Sequence, residues 1–161
     1  MMHDQTGERA PAPGGGRVRG MDANQLPLAP RAILAAYGAT LLITGLWAAG
    51  FPRSFYDDFP GLGRVWVSVD GPYNEHLVRD VGALYLALAA LLVVAAVRGT
   101  PTLVAVAAGV NLVNALPHLT YHALNLDVYD TVDKVANLVV LGTAVVVPVG
   151  LLLYITRRRE A

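Results

Sequence analysis

Apolar residues fill four long stretches of this chain, and short polar intervals divide those stretches into helices. The first, from Ala32 to Gly50, runs 19 residues without a charge, close to the ~20 that an α-helix needs to cross a bilayer. Pro30 stands just ahead of it, where a missing N–H costs nothing. A secretory signal peptide is the competing reading, since Ala48 and Ala49 are small residues near the end of the stretch. Its apolar core exceeds the usual length of about 7 to 15 residues, so a retained helix over 31–50 is expected.

The segment FPRSFYDDFPGLGRVWVSVDGPYNEH that follows is broken by Pro52, Pro60, Gly61, Gly63, Gly71 and Pro72 and is rich in aromatics. It reads as a loop with a short interfacial turn, its rings at headgroup level. A second helix is expected over 74–97, ending at Arg98-Gly99. Thr100-Pro101 then supplies an N-cap and a first helical residue for a third helix over 101–125. So short a turn makes these two helices antiparallel neighbours. Pro117 should bend the third helix just before His118. After the connector LDVYDTVD, a fourth helix covers 132–155, with Pro148 as a second bend. The expectation is an all-α protein, a four-transmembrane-helix bundle over 30–156.

Composition supports this reading. The chain is 55% hydrophobic and 15% charged, too apolar for an ordinary soluble domain. Residues 1–29, with PAPGGG and scattered charges, read as a disordered cytoplasmic tail, and Met21 offers an alternative translational start. Residues 157–161 form a basic tail. Zero net charge gives no argument for nucleic acid. The absence of cysteine removes disulfides, thiolate ligands and cysteine nucleophiles.

Charge also suggests an orientation. Arg9, Arg17, Arg19 and Arg31 precede the first helix, Arg98 lies in the short turn, and Arg157, Arg158 and Arg159 follow the fourth helix. Four helices place all of them on one side, which the positive-inside rule makes cytoplasmic. Eight of the twelve acids fall on the other side. A multi-pass protein of the cytoplasmic membrane with both termini inside is expected, with the lipid bilayer as its first partner and a membrane-protein partner or homo-oligomer as further ones.

One face of the third helix departs from the apolar pattern. Asn111, Asn114, His118, His122 and Asn125 follow one another at steps of 3, 4, 4 and 3, which places them within an arc of roughly 80° on a helix. Polar groups at membrane depth are costly unless they face a bundle interior or a water-filled cavity. Counting outward from the short turn puts Asp80 level with His118 and His76 level with His122, to within about one residue. The expectation is therefore a quartet of His76, Asp80, His118 and His122 near the outer surface.

Three imidazoles and a carboxylate suit a divalent transition metal such as zinc, iron, manganese or copper. Glu75, Asp133 and Asn137 stand where they could orient the ligands or add to them. Haem held by His76 and a helix-three histidine is a less favoured variant, without any haem-specific signal. Two other readings stay open. The same residues could form a structural polar network in a scaffold or accessory subunit, or line a proton or small-solute path in a small transporter component. No spacing supports a phosphate loop or a serine nucleophile, and no reaction is assigned.

The run Arg79-Asp80-Val81-Gly82-Ala83-Leu84-Tyr85-Leu86-Ala87-Leu88-Ala89 resembles the small DoxX-like bacterial membrane proteins, in which a charged helix start leads into a Gly/Leu/Ala-rich span. The resemblance covers about a dozen residues and the four-helix layout. It implies a four-helix membrane bundle and an association with membrane redox components. Neither HLTYH in the third helix nor the FPRSFYDDFPG loop maps onto that pattern, so no functional residue is carried over.

Overall fold

In the computed structural model, residues 25–160 are described. The expected tail therefore lies outside the described residues as far as Asp22, Ala23 and Asn24, while Gln25 to Leu28 belong to the folded part. Five helices follow in order, α1 (Leu28–Gly50), α2 (Pro52–Asp58), α3 (Glu75–Arg98), α4 (Pro101–Leu124) and α5 (Thr131–Glu160). All but α2 are long and apolar enough to cross a membrane. The protein is a four-helix transmembrane bundle. Between α2 and α3 lies a small antiparallel hairpin, β1 (Pro60–Gly61) with β2 (Arg64–Val65), in which Pro60 faces Val65 and Gly61 faces Arg64. Gly61 and Gly63 take positive φ in its turn, and Leu62 between them does so at 59°, a conformation that bulky residues avoid. A 3-10 turn (Leu126–Val128) links α4 to α5.

Local chemistry sets the helix ends. Asn74 caps α3 by accepting a hydrogen bond from the Leu77 N–H, and Asp130 caps α5 by accepting from the Asp133 N–H at 2.9 Å, each satisfying a donor that has no intrahelical partner. Gly99 closes α3 at φ 65°, the left-handed conformation in which a Cβ is unwelcome. Arg31 then covers the same end, donating from Nε to the Ala96 carbonyl at 2.8 Å and from a terminal nitrogen to the Val97 carbonyl at 2.9 Å. A cation on the last carbonyls of a helix also meets the negative end of its dipole.

The helices associate as two pairs, α1 with α3 and α4 with α5. Glycines let the first pair close. A Cβ on Gly82 would collide with the Ala49 backbone, and one on Gly45 would lie 3.0 Å from the Gly82 carbonyl. The two pairs meet differently at their two ends. At the end bearing the termini, a buried apolar cluster joins all four spans, including Leu34, Leu92, Val104, Ala107, Leu151 and Ile155. Towards the loop end, the second cluster of Ala48, Phe55 and Val78 involves only α1, α2 and α3, with Trp47, Phe59, Val67 and Tyr73 packed around it. There α4 and α5 are tied to the rest largely through polar groups.

Candidate functional site

The polar face of α4 is a buried face. Asn111 is wholly buried, and His118 and His122 are partly buried on the next turns. On α5, Asp133 and Asn137 are buried one turn apart. Counting inward from the α4–α5 connection, Asn137 is about as deep as His118 and Asp133 about as deep as His122, given the 1.5 Å rise per helical residue. Loop residues 64–70 join this group from above through Arg64, Trp66 and Asp70.

The structure separates the expected quartet into two halves. His118 and His122 stay together, their rings tilted at 45° with centroids 4.9 Å apart. His76 and Asp80 pair with each other at 3.3 Å on an open face of α3, their side chains 89% and 62% exposed. The polar partner that α3 brings to His118 is Tyr85, whose hydroxyl lies 3.1 Å from Nδ1. The reason is rotational. Val78, Gly82, Ala89, Leu92 and Ala96 are the buried face of α3, and at about 100° per residue His76 and Asp80 point roughly 160° to 200° away from Val78. Matching depth along antiparallel helices does not guarantee a shared face. Among the described residues, no three or more His, Asp or Glu side chains gather as a group able to hold a metal ion.

The residues expected to support the site take separate roles. Glu75 pairs with Arg79 at 2.8 Å. Asp133 accepts from Trp66 Nε1 at 2.9 Å and lies 3.2 Å from an Arg64 nitrogen, which also pairs with Asp130. Asn137 keeps its Oδ1 buried with no hydrogen-bond partner among the described residues, as does Asn111, whose amide donates to the Ala107 carbonyl.

Two tyrosines complete the histidine pair. The Tyr129 hydroxyl lies 3.0 Å from the Trp66 carbonyl oxygen and 3.3 Å from His122 Nδ1. It has one proton to give. The carbonyl can only accept, so the proton goes there, and the second bond requires His122 Nδ1–H to donate to the Tyr129 oxygen. This network assignment puts His122 in the Nδ1–H tautomer, with an unprotonated Nε2. Tyr129 keeps its proton firmly, because burial first, and then Asp70, Tyr121 and Asp133, push its hydroxyl up to about 12. At His118 the Nδ1 is likewise occupied by Tyr85. Neither Nε2 has a hydrogen-bond partner among the described residues.

Comparison with family models, curated proteins and solved structures returns no match. The site's own residues therefore carry its reading. Of the groups that sequence patterning missed, Tyr85 was within reach, because it continues the buried α3 stripe between Gly82 and Ala89. Trp66, Asp70 and Tyr129 carry no such signal. Their roles come from a loop folding over helix ends far away in sequence, as in the Trp66–Asp133 bond.

Proposed function

We propose that the chain is a multi-pass protein of the cytoplasmic membrane, with both termini inside, that binds a divalent transition-metal ion on its outer side through Nε2 of His118 and His122. The observation that supports this most is the occupation of both Nδ1 atoms by tyrosine hydroxyls while neither Nε2 has a hydrogen-bond partner among the described residues. Metal-ligating histidines characteristically have the other ring nitrogen held by a second group, which fixes the tautomer and the ring orientation. Tyr85 and Tyr129 hold these rings in that way. Two imidazoles on adjacent turns would take two positions around the ion, leaving the others to water or an added ligand. When bound, the ion would supply Lewis acidity or a redox centre. His76 and Asp80 have no part in this site.

The orientation rests on the arginines at the termini end, with Arg31, Arg98, Arg157 and Arg158 beside the helix ends there. A competing reading, a structural polar network in a membrane scaffold or accessory subunit, draws support from the bonds of Trp66, Arg64 and Asp133 to one another. Metal analysis of detergent-purified protein separates the two. The metal reading expects one ion per chain, lost in His118→Ala and His122→Ala but kept in His76→Ala. No bound metal in any of them, with chelators leaving stability unchanged, would give the structural reading the site.

A further inference from the structure

We propose that the segment from Phe59 to Gly71 is a lid over the His118/His122 site, and that Tyr129 is the latch tying that lid to the site. This rests on the reading of the histidine pair as the ligand site. The lid's Trp66 is buried, and two of its three polar groups are bonded to different parts of the α4–α5 end, the indole N–H to Asp133 and the carbonyl to Tyr129. Tyr129 touches the lid and His122 with the same oxygen atom. A change at His122 is therefore felt at Trp66 across a single hydroxyl.

The Tyr56 hydroxyl fixes the far end of the segment by donating to the Gly71 carbonyl at 2.6 Å, so the contacts that can open are those to α4 and α5. Arg64 reaches Asp130 and Asp133 by ion pairs at a partly exposed edge, and the Tyr121 hydroxyl reaches Asp70 at 3.4 Å. The Arg64–Asp130 pair is of the exposed sort that holds weakly, whereas Asp133 is buried. Phe59 and Val67 anchor the segment on the cluster of Ala48, Phe55 and Val78, while Leu62 at its tip is fully exposed. Glycines 61 and 63 sit at positive φ in the turn. With those anchors on the α1–α3 side, the segment meets α4 and α5 through Trp66 and polar contacts, so that edge is the one able to open locally without unfolding the bundle.

The full-length protein offers two direct readouts. Trp47→Phe leaves Trp66 as the only tryptophan, so acrylamide quenching reports the lid. Quenching should be weak in this parent and rise several-fold after Tyr129→Phe with helicity unchanged. Arg64→Gln, at a half-buried position, should give a smaller rise, and it serves if Tyr129→Phe fails to fold. Access is measured separately, because the chain has no cysteine and Asn114→Cys becomes its sole thiol. A charged thiol reagent should label that thiol about tenfold faster when the latch is removed, as expected for a local opening equilibrium shifted by one hydrogen bond. Equal quenching and equal labelling in the parent and both variants would overturn the lid. Zinc keeps the two ideas distinguishable. If zinc fails to slow labelling while Tyr129→Phe still speeds it, the metal reading falls and the lid stands.

Discussion

At the scale of single residues, burying a polar group is costly unless it has a partner, and among the described residues the Oδ1 atoms of Asn111 and Asn137 are the exceptions. Asp133 is the clearest partnered case, accepting the Trp66 indole N–H and facing Arg64 while itself buried. Asp133→Ala would leave the indole N–H without its acceptor and Arg64 with Asp130 alone, and should cost about 2 to 3 kcal/mol in a reversible denaturant or thermal melt. Asp133→Asn keeps an acceptor for Trp66 and should cost less. Asp130 supplies a pH prediction. The hydrogen bond from the Asp133 N–H, followed by Arg64, holds its carboxyl below the usual carboxylate range. A depressed folded-state pKa gives stability that is present above the unfolded value and lost as pH falls through the folded one. Wild type should therefore lose stability on acidification in a way that Asp130→Asn, which keeps the cap without titrating, does not. Parallel acid dependence in the two proteins would show that Asp130 contributes nothing.

Elements were the most legible level. The apolar runs and their punctuation predict helices over 31–50, 74–97, 101–125 and 132–155, and the structure has Leu28–Gly50, Glu75–Arg98, Pro101–Leu124 and Thr131–Glu160. Asn74, Gly99, Thr100 and Pro101 act locally, so their effect can be read from neighbours in sequence. The α1 start was placed late because Leu26 and Arg31 are held by Gly99 and the α3 carbonyls, contacts that no local pattern reveals. Facing was harder than extent. The polar stripe of α4 is inward as its period predicts, but His76 and Asp80 are more conspicuous in sequence than the Gly82, Tyr85, Ala89 stripe that actually turns inward. The α1–α3 contact gives a direct check on this. Gly82→Ala puts a methyl into the Ala49 backbone and should destabilise the protein by about 1 to 3 kcal/mol, as overpacking does. Gly109→Ala and Gly142→Ala, which meet nothing within 4 Å, should be neutral or stabilising by up to about 1 kcal/mol through helix propensity. Equal effects at all three positions in a thermal melt would contradict the close approach of α1 and α3.

Across the whole molecule, the apolar and polar parts of the interior are segregated. One end is sealed by residues of all four spans, and the other is joined by His118, Tyr85, His122, Tyr129, Asp133 and Trp66. That division gives the partly buried histidines polar neighbours within the bundle. It was only half visible in the sequence, since the α4 stripe announces a polar interior while its tyrosine partners come from α3 and a distant loop. The number of imidazoles around the ion tests the central claim most directly. X-ray absorption of zinc-loaded protein counts them, and the account predicts two imidazole nitrogens at about 2.0 Å with oxygen donors completing the shell, both imidazoles lost in the His118→Ala, His122→Ala double variant. A spectrum requiring three imidazoles, or two that survive the double variant, would contradict it.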